Sequence, residues 1–161
     1  MHNKKVLIPL PRYGCDPSEV AIPWLLLKEQ QVEMTFITPD GKVATADDIM
    51  LTGKGLGLLK PLLQARQDAI NAYRQLEQSA EFNKPLFYTD VKASDFDGLL
   101  LPGGHDKGVK EYLESEVLQR LVVDFFNENK PVAAVCHGVL IPARSIDPKS
   151  QKSVIYNYQC T

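Results

Sequence analysis

The sequence predicts an α/β domain built on a doubly wound parallel sheet, with a helical insertion. Short runs of almost wholly apolar residues recur along the 161-residue chain, as expected for strands that are buried on both faces. Segments with apolar residues at helical spacing separate these runs, and proline or glycine closes most of them. The length suffices for one domain but not for two ordinary ones, so we expect residues 1–161 to form a single domain.

The first three predicted elements are a strand, a helix and a strand. Residues 5–10 form an apolar run with a proline near its end, and residues 31–38 form the second run. Between them, Asp16-Pro17-Ser18-Glu19 combines an N-cap acid, a proline at the first helical position and a glutamate at the third, so a helix is expected to begin there. By this pattern alone, Glu19 would be the capping-box partner of Asp16.

Residues 42–92 interrupt the alternation of strands and helices. Their middle part carries apolar residues three and four positions apart, which indicates an amphipathic helix. The residues at this spacing are Leu62, Ala65, Ala69, Tyr73 and Leu76. Such an insertion would either cover the mouth of an active site or pack against the domain as a structural excursion, and the sequence favours neither.

Two further strands complete the predicted sheet. Residues 96–101 end at Pro102-Gly103-Gly104, and residues 131–135 end at Cys136-His137-Gly138. The segment between these strands is expected to be a helix with an apolar inner side. The residues assigned to that side are Val117, Leu118, Leu121, Val122, Phe125 and Phe126.

Cys136 is the main candidate for a reactive group. Ligands of open parallel sheets bind beyond the carboxyl ends of the strands, and this cysteine lies where a strand turns into a helix. A strained turn would hold the side chain at the rim, and the helix dipole would lower the pKa of its thiol. The backbone N–H groups of Gly104 and His137 would then flank a developing oxyanion. The alternative for Cys136 is the usual role of a free cysteine, a small buried apolar residue.

The other polar candidates carry weaker signals. His105 is a candidate proton shuttle, although a histidine on a surface loop would have the same sequence context. The His137 ring is expected to point away from the neighbouring sulfur. Cys15 and Cys160 complete an odd number of widely spaced cysteines, which suits neither a disulfide framework nor a zinc site. The histidines and acids show no metal-ligand spacing, so no metal is predicted.

Composition narrows the classes of partner and location. The net charge of −2 argues against nucleic acid and anionic membranes as partners, because both normally require a clustered basic face. The sequence has no apolar stretch long enough for a membrane span and no signal-peptide pattern, so a cytoplasmic location is expected.

Three blocks of sequence resemble the signatures of the PfpI and protein deglycase superfamily, also called type 1 glutamine amidotransferase-like. They are Glu19-Val20-Ala21-Ile22-Pro23, Leu101-Pro102-Gly103-Gly104-His105 and Ala133-Ala134-Val135-Cys136-His137-Gly138. The resemblance implies a flavodoxin-like fold of the class I glutamine amidotransferase-like kind.

The resemblance also implies roles for individual residues. Cys136 matches the nucleophile, Glu19 matches the acid that hydrogen-bonds it, and Gly104 matches an oxyanion-hole donor. Gly103 and His105, in the same block as Gly104, and His137, beside the nucleophile, are the remaining site candidates. No cofactor is implied.

The function implied by the resemblance is cysteine-dependent chemistry on a small reactive carbonyl or its protein adduct, as in glyoxalase III and deglycase enzymes. The alternatives are an intracellular PfpI-type peptidase or amidase, and a non-catalytic stress protein that senses oxidation or acts as a chaperone. Transfer of ammonia from glutamine is not expected, since the chain lacks the later His-Pro-Glu-like element of true glutamine amidotransferases.

The C-terminal end differs from the resembled family. A strand is expected to begin near Ser153, whereas relatives generally continue for several dozen residues beyond that point. We therefore expect the last strands and the last helix to be missing. An apolar face would then be exposed, and a homodimer is predicted to cover it.

Overall fold

Nine strands and seven α-helices form the fold in this computed structural model, which describes residues 3–159 apart from the side chains of residues 62 and 63. The strands are β1 (Lys5–Pro9), β2 (Tyr13–Cys15), β3 (Glu33–Thr38), β4 (Thr45–Ala46), β5 (Leu86–Phe87), β6 (Gly98–Leu101), β7 (Val132–Ala134), β8 (Ile146–Asp147) and β9 (Lys152–Ser153). The helices are α1 (Pro17–Glu29), α2 (Asp48–Thr52), α3 (Lys60–Leu63), α4 (Gln67–Leu76), α5 (Lys110–Leu113), α6 (Glu116–Asn127) and α7 (Leu140–Arg144). His2 and Cys160 therefore lie outside the described residues, as does the side chain of Leu62.

The main sheet has five parallel strands in the order β5-β3-β1-β6-β7. In chain order, β3 and β5 are added on one side of β1, and β6 and β7 are then added on the other side. This reversal confirms the doubly wound α/β fold. It also creates a switch point between β1 and β6, where loops at the carboxyl ends of the strands diverge and leave a crevice.

Side chains of the central strands alternate between two hydrophobic layers. Leu7 packs into the layer that contains α6, whereas the next residue, Ile8, packs into the layer that contains α1 and α4. In β6, Leu99 and Leu101 face the first layer and Leu100 faces the second. The central strands are thus buried on both faces, as their apolar runs predict. No helix within residues 3–159 has the length and apolarity that a membrane span requires.

The inserted helix α4 belongs to one of these layers. Its residues Ala72, Tyr73 and Leu76 are buried with Trp24 of α1. The Tyr73 hydroxyl accepts a hydrogen bond from the Ala46 N–H at 3.0 Å, which ties α4 to β4. Of the two alternatives left open by the sequence, the structure shows the packed one.

Two details of the second half differ from the predictions. Val117 is 38% exposed, because its direction lies about 90° from the centre of the buried stripe of α6. Val123, which was not assigned to the inner side, is buried, and β8 packs beside α6. The strand β7 is an edge strand with Ala133 exposed, rather than a strand buried on both faces.

The hydrogen bond between Tyr73 and Ala46 provides a test of how the insertion is held. Tyr73→Phe leaves the buried Ala46 N–H without its partner, so the free energy of unfolding should fall by about 1–3 kcal/mol in urea denaturation. Tyr156→Phe is the matched control, since Tyr156 is 63% exposed and should tolerate the change. Equal stability of the two variants would contradict a structural role for this bond.

Candidate active site

The turn that carries Cys136 is strained. Residues Cys136–Val139 form a 3₁₀ turn between β7 and α7, and Cys136 has a φ of 51°. This left-handed conformation costs a residue with a side chain about 1–2 kcal/mol. It holds an exposed thiol at the carboxyl end of the sheet, so the predicted strained turn is confirmed and the buried alternative for Cys136 is wrong.

Glu19 reaches this end of the sheet from the first turn of α1. The Asp16 carboxylate caps that helix by accepting hydrogen bonds from the N–H groups of Ser18 at 2.7 Å and Glu19 at 3.3 Å. The Glu19 side chain does not return to the Asp16 N–H. Instead, its Oε2 accepts a hydrogen bond from the Gly103 N–H at 2.7 Å, while the Asp16 N–H donates to the Gly103 carbonyl at 3.1 Å. The capping-box interpretation of Glu19 is therefore wrong.

The two glycines after β6 allow this close approach. A Cβ on Gly103 would lie 2.9 Å from Glu19 Oε2 and 2.8 Å from the His137 nitrogen, so no larger residue fits. Gly104 has a φ of 154°, and a Cβ there would lie 3.1 Å from the Asp16 nitrogen. The N–H of Gly103 already binds Glu19, so Gly103 holds the acid in place. This role differs from the oxyanion or substrate contact that the sequence predicted for Gly103.

Both predicted histidines lie beside the sulfur. His137 Nδ1 is 3.4 Å from Cys136 Sγ, and His105 Nε2 is 3.9 Å from it. The two rings meet edge to face with their centroids 5.0 Å apart. The His137 ring therefore does not point away from the sulfur as expected for an ordinary turn, and the turn is unusual in the positive φ of Cys136. The fold thus brings together three potential metal ligands, although their spacing in the sequence does not indicate a metal site.

The acid and the thiol influence each other's ionisation. Partial burial raises the pKa of Glu19, and the nearby Asp16 charge raises it further, against the hydrogen bond from Gly103. Burial also raises the pKa of Cys136, and the Glu19 carboxylate adds to the rise because it would repel the thiolate. This contradicts the lowered pKa predicted from a helix dipole. The helix that follows is only a 3₁₀ turn and a five-residue α7, too short for a strong dipole.

Cys15 has a different environment. Its side chain is completely buried in the layer of α1, and burial raises the pKa of its thiol to about 12. A thiol with this pKa is protonated at neutral pH and does not act as a nucleophile. Of the two cysteines that the structure describes, only Cys136 is exposed to solvent.

Two depressions meet at the site. Cys136 lines a cleft of about 690 Å³ between the edge strand β7, the end of α6 and the C-terminal segment, with Phe126, Val132 and Tyr158 in its walls. His105 and His137 line a second depression of about 290 Å³, which also contains Lys107 and Arg144. Cys136 itself lines only the first of these depressions.

Known proteins resemble this chain in sequence and in fold. A family model described as ThiJ/PfpI family-like matches residues 10–155. An uncharacterised protein of Schizosaccharomyces pombe is 30% identical over 141 residues, which are 86% of this chain and 50% of that protein. The protein/nucleic acid deglycase 2 of Escherichia coli is 46% identical over 65 residues, which are 38% of this chain and 34% of that protein.

A solved structure shares the fold over nearly the whole of this chain. Glyoxalase III from Candida albicans has a TM-score of 0.65 at 21% identity, over 94% of this chain and 64% of that chain. The present chain spans half the length of the Schizosaccharomyces pombe relative and about two thirds of the glyoxalase III chain.

The coupling between Glu19 and Cys136 can be tested by titration. Glu19→Gln removes the repelling carboxylate, so the pKa of Cys136 should fall and the thiol should react several-fold faster with iodoacetamide at mildly alkaline pH. The pH dependence of the alkylation rate, in a Cys160→Ser background, measures this. Glu116→Gln, which changes an exposed acid far from the site, should leave the profile unchanged. If the two variants gave the same profile, Glu19 would not act on the thiol.

Proposed function

The chain belongs to the ThiJ/PfpI-like family, and we propose that it is a cysteine-dependent enzyme acting on small reactive carbonyls, such as methylglyoxal, or on their adducts with protein side chains. One observation carries the proposal: an exposed cysteine in a strained turn lies near a carboxyl group that a backbone N–H holds in place. The deglycase and glyoxalase III names of similar proteins agree with this class of substrate.

The first step is addition of Cys136 to the aldehyde. Sγ forms a bond to the aldehyde carbon, and the π electrons of the carbonyl move to its oxygen. Glu19, whose pKa is raised by burial, accepts the thiol proton as the sulfur attacks. The backbone N–H groups of Gly104 and His137 are proposed to hold the developing oxyanion until it is protonated, which gives a hemithioacetal.

The later steps need only proton transfer and water. Removal of the proton from the carbon that bears sulfur, and its return to the adjacent carbon, converts the methylglyoxal adduct into a lactate thioester. Glu19 is the proposed carrier of this proton, with His105 beside it. Water then cleaves the thioester to release lactate and the free thiol. One carbon is oxidised and its neighbour is reduced, so the overall reaction consumes no external electrons.

Peptidase or amidase activity is a second candidate, which the imidazoles favour. Such chemistry needs an aligned ring that activates the nucleophile and protonates the leaving amine. His137 and His105 lie 3.4 Å and 3.9 Å from the sulfur, close to that arrangement. A non-catalytic role as a stress or redox-sensing protein would use Cys136 through its oxidation instead.

Formation of lactate from methylglyoxal tests the proposal. Cys136→Ser should lower the rate at least about 100-fold, and Glu19→Gln should lower it by a similar order, because each removes a group that moves the transferred proton or bond. Cys160→Ser is the control and should retain the rate. Undiminished activity in Cys136→Ser would refute the proposal, and cleavage of a fluorogenic peptide without lactate formation would favour the second candidate.

We also propose that the protein is a cytosolic homodimer that pairs through an apolar groove between α1 and the strands β6 and β7. This groove has a volume of about 360 Å³ and is lined almost wholly by apolar residues. It includes Leu26, Leu100 and Ala133, and Leu26 is 57% exposed. Contiguous exposed apolar surface of this kind typically marks an interface.

Light scattering tests the proposed dimer. The unaltered chain should have the mass of two copies, and Leu26→Glu should shift it towards one because a charge would enter the apolar interface. Leu58→Glu is the matched control, since Leu58 is fully exposed and lies outside the groove. A stable monomer of the unaltered chain at tens of micromolar would contradict the dimer.

A further inference from the structure

The cluster of His105, Cys136 and His137 approaches the dimensions of a zinc site. Its three potential ligand atoms all lie within 4.8 Å of one another, with Sγ 3.4 Å from His137 Nδ1 and 3.9 Å from His105 Nε2. Tetrahedral zinc, with Zn–S of about 2.3 Å and Zn–N of about 2.0–2.1 Å, separates its ligand atoms by about 3.3–3.6 Å. The sulfur–nitrogen distances need shifts of a few tenths of an ångström to reach this range, and rotation of the exposed His105 ring would bring the two ring nitrogens, which lie within 4.8 Å of each other, into it as well.

The fold places these ligands at the ends of two paired strands. His105 follows β6, and Cys136 and His137 follow β7. The parallel register pairs Leu101 with Ala134, so the loops after the two strands start side by side. Cys136 and His105 are 31 positions apart in the sequence, which is why spacing along the chain gave no metal signal.

We propose that His105, Cys136 and His137 bind one Zn²⁺ ion and leave a fourth coordination position open. One thiolate and two imidazoles are ligands that zinc accepts readily. All three side chains reach solvent, so the ion has an entry path. The Glu19 carboxylate, which faces the sulfur, adds negative charge next to the ion.

Zinc at this position would inhibit carbonyl chemistry reversibly. Binding replaces the thiol proton, which leaves to solvent, by a sulfur–zinc bond, and no electrons are transferred. The sulfur lone pair that would attack a carbonyl is then shared with the ion. The inference concerns regulation of the same sulfur but does not depend on turnover, since coordination requires only the three side chains.

Metal titration of the purified protein tests the site. Zn²⁺ should bind one ion per chain in competition with a chromophoric chelator, and Co²⁺ should give a sulfur-to-metal charge-transfer band. Cys136→Ser, His105→Ala and His137→Ala should each weaken Zn²⁺ binding at least about tenfold, since each removes a direct ligand. The combined variant His2→Ala and Cys160→Ser removes the remaining histidine and an additional cysteine, and it should bind as the unaltered protein does.

A second readout uses the thiol itself. Saturating Zn²⁺ should slow alkylation of Cys136 by iodoacetamide at least about tenfold, and a chelator should restore the rate. Co²⁺ binding without a sulfur band, or zinc affinity unchanged by Cys136→Ser in a folded variant, would overturn the site. Neither experiment contains a carbonyl substrate. A failure of lactate formation therefore leaves the zinc result intact, and the reverse also holds.

Discussion

The hydrogen bond from the Gly103 N–H to Glu19 is the constraint on which the site depends. It is 2.7 Å long, and the reciprocal bond from the Asp16 N–H to the Gly103 carbonyl closes a double link between α1 and the loop after β6. Since the space at Gly103 admits no Cβ, the acid, the loop and the His137 backbone are held in one compact unit. The strain at Cys136 is sustained by this surrounding structure, as expected for a functional turn.

The proposed chemistry rests on two acidic groups that lie close together, Glu19 and Cys136. Glu19 and Cys136 cannot both ionise without repulsion, and burial raises the pKa of each. A proton shared by such a pair can move from sulfur to carboxyl as a bond to carbon forms, which makes the thiol a nucleophile without a permanently ionised state. The same sulfur, flanked by two imidazoles, is also suited to a soft metal ion. The proposed carbonyl addition and the proposed zinc binding would therefore compete for one lone pair.

The sequence predicted the fold better than the details of the site. Apolar runs located the central strands because both of their faces are buried, and Asp16-Pro17 located the start of α1 because capping is local. The direction of the pKa of Cys136, the His137 ring position and the role of Gly103 depend on distances between segments and on a single positive φ. Patterns along the chain carry none of these quantities. The exposure of Ala133 likewise depends on the position of β7 at the sheet edge.

The most direct measurement of the central claim is ¹³C NMR of the protein mixed with ¹³C-labelled methylglyoxal, in a Cys160→Ser background. If the Glu19 and Cys136 pair adds to carbonyls, a protein-bound hemithioacetal or thioester carbon should appear, and the signal should be absent in Cys136→Ser. Spectra that are the same for both folded proteins, with only the free hydrated aldehyde and adducts common to both, would contradict the account.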